Sequence, residues 1–492
     1  MQQFLNVLSN GWGFFASNIL TQPAYFIGLI VLIGYILLKK PWYDSLAGFI
    51  KATVGYMILA VGSGGLVNNF RPILVGLNER FNLSAVVIDP YFGQNAVTAG
   101  LEPEFGRTFS QVMMLLLIAF IFNILLVRFK KVTKMRSIFT TGHVQMQQAS
   151  TAFWIMLFCF PMLGDTSLLL LMGLLLGLYW AVGTNLLVKP TQELTDGAGF
   201  SVAHQQMFGI ALLDKFLEGR KKKSTREFKK IEDVKLPGFL SIFNENMVST
   251  AVLMTLFFSV ILLALGKSYL VEKNFMAANA SYFFYILSTS FNFAVYLAIL
   301  QLGVRTFVTE LTQSFQGISN RWLPGSVPGV DCAVTYGFGA PNAVTIGFLF
   351  GALGQFISIG ILLALRSPLV IISGFVPMFF DNATIGVFAN NKGGIKATML
   401  FPFLCGICQV FGSAFIVSFI GLAKYGGYLG MWDWAILWPV FTIAMKYLSY
   451  FGFAAVVVFL IAIPQIQYKM NKDTYFLVID NYEEFKKKKE VA

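Results

Sequence analysis

The sequence predicts an all-α polytopic membrane protein, and three observations carry that prediction. Of its 492 residues, 56% are hydrophobic and 12% are charged, whereas a soluble domain carries about 25% charged residues. Apolar runs of roughly 18 residues or more, long enough for a helix to cross a bilayer, recur along the whole chain. The alternating segments of ~10 residues that mark a membrane β-barrel are absent.

The runs define about eleven transmembrane helices: Ile19–Leu38, Leu46–Val67, Thr108–Val127, Ser150–Leu163, Ser167–Val188, Met247–Leu265, Tyr282–Val304, Val344–Leu365, Ala397–Leu422, Trp432–Tyr447 and Phe451–Ile463. Two shorter stretches, near Ile138–Gln148 and Leu369–Phe388, are rich in polar or glycine residues. They read as re-entrant or broken segments, which a bilayer tolerates where protein buries them or where they line a cavity. The domain organisation expected is a transmembrane unit over 1–465, with halves about 19–240 and 247–465, and a charged cytoplasmic tail over 466–492. The tail charges, Glu483-Glu484 with Lys486–Lys489, read as a solvated patch.

The net charge of +12 is concentrated in short loops and at the C-terminus, as in Arg128 to Lys131, Arg220 to Lys223 and Lys486 to Lys489. No basic-aromatic motif accompanies these runs, which argues against nucleic acid as a partner. They instead follow the positive-inside rule. One alternation of the spans puts Lys39-Lys40, Arg128 to Arg136, Arg220 to Lys235 and the tail all on the cytoplasmic side. The expected placement is multi-pass in the plasma (inner) membrane, with the N-terminus outside and the C-terminus cytoplasmic. No cleavable signal peptide is expected, because the first apolar run is long and ends at Lys39-Lys40 without a small-residue cleavage site. Cys405 and Cys408 have the spacing of a redox or metal pair but fall inside an apolar span, where packing is the better reading.

The chain also repeats itself. Gly62-Ser-Gly-Gly-Leu-Val67 and Gly76 to Arg80 are echoed by Gly303 to Val308 and Gly317 to Arg321, at a constant offset of 241 residues (Gly62 to Gly303, Arg80 to Arg321). Asp89 and Tyr91 then fall near Asp331 and Tyr336. The offset covers five crossings, and an odd number inverts the second copy. An inverted repeat places a binding site between the halves near mid-membrane.

The two histidines of the chain stand beside glutamines: Gly142-His143 with Gln147-Gln148, and His204-Gln205-Gln206. Polar groups at membrane depth cost several kcal/mol unless they are paired or face a wet cavity. His143 and Gln147, four apart, share one helix face. Imidazole and carboxamide together offer donors and acceptors suited to a polyhydroxylated or weakly anionic ligand. Pro190 and Gly197–Gly199 punctuate the approach to His204, where Glu193 and Asp196 are candidates for shaping the site mouth. Asp331 lies between apolar stretches; it either accepts from substrate hydroxyls or pairs with Arg305 or Arg321. Asp89-Pro90-Tyr91 is its counterpart, and Gly374 to Asn390 reads as a hairpin whose tip faces the ligand. No Gly-rich loop ending in Gly-Lys-Ser/Thr and no Gly-x-Ser-x-Gly elbow occurs. The histidines are far apart in sequence and show no acidic neighbour, so neither a metal nor a cofactor is expected.

At these residues the chain resembles the membrane permease (enzyme IIC) of the bacterial ascorbate phosphotransferase system. The resemblance rests on Thr141-Gly142-His143 with Gln147-Gln148, Lys189 to Glu193 through His204-Gln205-Gln206, Asp331-Cys332-Ala333, Ala340 to Ala343 and Gly374 to Asn390. It covers the eleven spans and leaves out the charged C-terminus. It implies a homodimer whose protomers each have a substrate-carrying core domain and a V-shaped dimerisation domain, with elevator-like movement of the core. It further implies that Tyr91, His143, Gln147, His204, Gln205 and Asp331 bind L-ascorbate, with Pro90, Gln148 and Tyr336 as possible additions. The chain would then be a transport subunit rather than an enzyme, with phosphoryl transfer left to separate IIB and IIA proteins. The rival reading is a secondary transporter of a related sugar acid or polyol coupled to Na⁺ or H⁺, which an inverted repeat alone supports equally.

Overall fold

A computed structural model describes residues 22–81, 84–223, 229, 231–233, 238–239 and 245–491. Within these residues every expected span falls on helix: Pro23–Leu37, Trp42–Phe81, Phe109–Arg128, Gly142–Cys159, Asp165–Leu186, Asn246–Leu265, Tyr282–Trp322, Pro341–Ala364, Asn382–Phe419 and Trp438–Met470. Among the described residues, six helical stretches are long and apolar enough to cross a membrane. Their outward faces carry large apolar side chains such as Phe451, Val458, Leu170 and Leu363, as lipid contact requires.

The last two long helices each contain a reversal. Gly394 takes φ +63° and ψ −162°. Gln409 Nε2 then donates to Asp381 Oδ2 at 2.5 Å and to the Pro377 carbonyl at 3.2 Å. Residues that far apart on a straight helix would be separated by about 40 Å, so the chain folds back at Gly394. Ser449, at φ +51° and ψ −130°, does the same for Trp438–Met470. The rings of Phe441 and Phe459 meet at 6.1 Å, against about 27 Å along an unbroken helix. The two spans expected over Trp432–Ile463 are therefore the two arms of one hairpin. The hairpin expected within Gly374–Asn390 turns later than that. A strand over Leu369–Ser373 leads into this stretch, helix begins near Pro377, and the bend falls at Gly394, whose missing Cβ permits the positive φ.

The expectation of an all-α chain is also corrected. Among the described residues, six short strands, β1 (Ser84–Ile88), β2 (Ser137–Phe139), β3 (Ser201–Val202), β4 (Val327–Val330), β5 (Leu369–Ser373) and β6 (Gly427–Tyr428), form two parallel three-stranded sheets. Their orders are β5-β1-β6 and β2-β4-β3. Backbone that leaves helix inside an apolar protein must find other partners for its N–H and C=O groups. The two stretches expected to be broken segments supply β2 and β5. Each sheet takes its centre from one half of the chain and its flanks from the other.

Close helix approach fixes this core. A Cβ on Gly406 would lie 2.2 Å from the Gly351 carbonyl, and one on Gly354 would lie 2.2 Å from the Phe403 carbonyl, whereas Gly360 faces open space. Small residues let the backbones of Pro341–Ala364 and the second arm of the hairpin touch. Gly406→Ala is expected to cost about 1–3 kcal/mol by overpacking and to lower the thermal unfolding temperature in detergent. Gly360→Ala, on the same helix pair, is expected to leave it unchanged or raise it slightly.

The tail charges Glu483, Glu484 and Lys486 to Lys489 are exposed, as expected, but apolar and aromatic side chains among and before them dock on the protein. Val478 and Phe485 are buried with Val188 and Val327. Lys489 pairs with Glu193 at 2.6 Å and Lys486 with Asp196 at 3.0 Å. Tyr475 receives a hydrogen bond from Asn185 Nδ2 at 2.9 Å, donates to the Lys134 carbonyl at 2.6 Å, and lies 3.6 Å beneath the Arg136 guanidinium. Its neighbours precede β2 and β3, so the tail braces the segments that lead to both histidines. Tyr475→Ala is expected to cost about 3–5 kcal/mol. Limited proteolysis checks this: cleavage within 471–491 should become fast in the variant and remain slow in the parent.

Candidate functional site

The β2-β4-β3 sheet ends where the polar residues begin. Its three parallel strands run into His143, Asp331 and His204 respectively. Parallel strands deliver the residues after their carboxyl ends to one place, which is why ligands collect there in open sheets. One ring nitrogen from each histidine and a carboxylate oxygen of Asp331 all lie within 4.8 Å of one another. His143 Nε2 is 3.4 Å from Asp331 Oδ2. The acidic neighbour invisible in the sequence is thus supplied by the other half of the chain. The side chains of Arg305 and Arg321, considered as rivals for Asp331, lie outside the described residues.

Local chemistry holds each group. Asp331 Oδ1 accepts the Ala333 N–H at 2.9 Å and caps the short Cys332–Gly337 helix, leaving Oδ2 to His143. Asp89 does the same at the end of β1. It accepts from Tyr91 N at 3.0 Å and from Val376 N at 3.3 Å, and Pro90 opens the Pro90–Phe105 helix at its first turn. Pro90 is therefore a helix starter. Tyr91 hydrogen-bonds Gln147, and Gln205 Nε2 donates to Gln147 Oε1 at 2.8 Å. Tyr91, Gln147 and Gln205 thus form one chain beside the histidine–aspartate cluster. All are buried.

The loop before His204 is cinched by Gln192. Its Nε2 donates to the Phe200 carbonyl at 2.6 Å and its Oε1 accepts from Gly199 N at 3.2 Å. Asp196, Gly197 and Gly199 all take positive φ there, the left-handed conformation that glycine adopts without steric cost. Glu193 and Asp196 pair away from the polar cluster. Glu193 joins Lys392 at 2.8 Å and Lys489, and Lys392 joins Asp214 at 2.6 Å. This network ties the loop to the Gly394 hairpin and the tail.

Of the possible additions, Gln148 braces the site. Its Nε2 donates to the His204 carbonyl at 3.2 Å and its Oε1 accepts from Trp180 Nε1 at 2.6 Å. Tyr336 faces the Gly394 hairpin, 3.2 Å from the Phe380 carbonyl and 3.1 Å from Thr384 Oγ1.

Two residues hold the His204 loop: Gln206, seen in the sequence only as part of the polar cluster, and Asp433, absent from the sequence-based candidates. Gln206 Oε1 accepts the Gln205 N–H at 2.9 Å and stands 2.7 Å from His204 Nδ1. Asp433 clamps the loop from both sides. Its N–H donates to the Gln205 carbonyl at 3.1 Å, its carboxylate accepts from Phe208 N and Gly209 N at 3.1 and 3.2 Å, and Tyr179 donates to it at 2.8 Å. A signal for Asp433 existed: it is an acid inside an apolar run, Trp432-Asp433-Trp434.

Two buried atoms here have no protein partner: His143 Nδ1 and Gln205 Oε1. Buried polar atoms rarely remain unpaired, so the cluster has hydrogen-bonding capacity left for a polar ligand. Apolar helices around a nearly uncharged, mostly buried polar site define a membrane protein of the transport class. Residues 18–436 match the family described as the sugar-specific permease component of the phosphotransferase system (PTS), and the chain belongs to that family. It is also similar to a protein of Mycoplasma pneumoniae named "Ascorbate-specific PTS system EIIC component", at 34% identity over 83% of this chain and 67% of that relative.

Proposed function

We propose that this chain binds L-ascorbate from outside and carries it inward by an elevator movement of its core domain. A separate IIB protein, itself charged by IIA, phosphorylates the sugar on the cytoplasmic side. The observation that carries the reading is the convergence of Tyr91, His143, Gln147, His204, Gln205 and Asp331 from both halves onto one mostly buried place. Ascorbate is an anion with a dihydroxyethyl arm. Carboxamide, phenol and imidazole donors suit its ring oxygens, and the Asp331 carboxylate suits its hydroxyls. The name of the Mycoplasma relative points to the same sugar.

The architecture we infer is an eleven-span inverted repeat over 1–465, with halves about 19–240 and 247–465, the N-terminus outside and the tail cytoplasmic. It pairs as a homodimer through a V-shaped domain. Three features support the repeat. Trp42–Phe81 and Tyr282–Trp322 begin and end about 241 residues apart, each runs into a central strand, and each strand ends at an aspartate. When Asp89 is aligned with Asp331, the strand registers put Val376 and Phe380 where the first half has His143 and Gln147. They likewise put Gly430 and Met431 where it has His204 and Gln205. Apart from Asp89, whose carboxylate is taken up by backbone N–H groups, the second copy of the site is apolar, which supports one sugar per chain.

The test is uptake of labelled L-ascorbate in cells with and without the IIB and IIA proteins. Accumulation as a phosphate ester that requires those proteins is the expected result. Unmodified label driven by an ion gradient would replace this reading with a Na⁺- or H⁺-coupled secondary transporter.

A further inference from the structure

We propose that the His143–His204–Asp331 cluster is also a binding site for a divalent cation of the zinc type, taken in competition with the sugar. Two imidazoles and a carboxylate, with a further position open, form the ligand set of an exchangeable zinc site. Ligands about 2.1 Å from a tetrahedral ion stand roughly 3.4 Å from one another. His143 Nε2 and Asp331 Oδ2 already have that spacing, at 3.4 Å, and the third donor lies within 4.8 Å of both. A shift of about 1 Å in one imidazole completes the set, well within a side-chain adjustment.

The outer contacts of His204 and Asp331 fit as well. Gln206 Oε1 accepts a backbone N–H, so it is the amide oxygen, and the His204 Nδ1 beside it must be the donor. In the neutral ring this leaves the lone pair on Nε2. Metal-binding histidines are commonly held in this way, with the distal N–H given to a carbonyl oxygen that fixes tautomer and ring plane. Asp331 is held similarly by the Ala333 N–H. Burial of both histidines limits competition from bulk water, and the partly exposed Asp331 carboxylate gives the ion a way in. Among the described residues, Asp331 makes its one ion pair with His143, so no lysine or arginine there opposes a cation. Zinc is the suitable probe because it is redox-inert and will not oxidise ascorbate.

Binding of the ion does not rest on the permease reading; competition with ascorbate does. The experiment is calorimetric titration of the purified, untagged protein with zinc chloride in phosphate-free buffer, with and without saturating ascorbate. One zinc per chain is expected. His143→Gln, His204→Gln and Asp331→Asn should each weaken it at least tenfold, and Gln206→Leu about tenfold through loss of the outer contact. Ascorbate should raise the apparent dissociation constant without changing the stoichiometry. Thermal unfolding and monodispersity of each variant establish that it is folded. Zinc binding that is unsaturable, or unchanged in all folded ligand variants, overturns the site even where ascorbate still binds. Zinc binding that is lost in the variants but indifferent to ascorbate upholds the cation site and overturns the competition, together with the placement of the sugar here.

Discussion

Asp331→Ala is expected to abolish ascorbate uptake while leaving the protein in the membrane. The carboxylate is the one formal negative charge in the cluster, and its Oδ2 faces His143. Hydrogen bonds to a charged group contribute about 1.5–3 kcal/mol each. Losing two of them, one to the sugar and one that orients His143, amounts to about 3–6 kcal/mol, or roughly a 10²- to 10⁴-fold fall in uptake efficiency. Asp331→Asn keeps an acceptor for Ala333 N and should fall less, by about 10- to 100-fold. Initial uptake rates, normalised to the amount of protein in the membrane, measure both. Near-normal uptake in the alanine variant would remove Asp331 from the site.

The second large effect is expected at Asp433, which touches no proposed ligand. Its carboxylate receives two backbone N–H groups and the Tyr179 hydroxyl, and its own N–H holds the Gln205 carbonyl. Asp433→Leu leaves three buried donors without a partner at about 1–3 kcal/mol each, enough to unfold a protein of ordinary stability. Asp433→Asn retains one acceptor and should fold with the 204–209 loop loosened. The half-saturation concentration for ascorbate is then expected to rise by about tenfold or more, with a smaller change in maximal rate. Hydrogen exchange over residues 204–209 should quicken in the same variant. Unchanged exchange there would refute the clamp.

The helical spans were legible because a bilayer imposes length and hydrophobicity on each one separately, so a local reading suffices. His143, Gln147, His204 and Gln205 were legible for a similar reason: polar side chains in apolar runs stand out wherever they lie. Partnership was not legible. Nothing local to Asp331 says that it meets His143 rather than Arg305, since a strand register between distant segments makes that choice. The strands themselves were missed because two to five residues carry too little periodicity to separate from an irregular break. The turn at Gly394 lay just beyond the stretch read as a hairpin. The tail charges face solvent as read, but the docking by Val478, Tyr475 and Phe485 was missed, because three such residues spaced over eleven positions make no apolar run. Asp433 was passed over within a span whose overall hydropathy masked it.

The exchange of strands between the two sheets bears on how the protein is made. β2 and β3 have no central strand to pair with until Val327 to Val330 has left the ribosome, and β1 must wait for Leu369 and then Gly427. The first half therefore enters the bilayer with open strand edges and an unassembled site, a state that invites wrong pairing. Two fragments divided between residues 224 and 244 and produced together would each carry the strands the other lacks. Complementation should follow from co-production and fail when the fragments are made separately and mixed later, since by then each fragment's open edges would have found other partners.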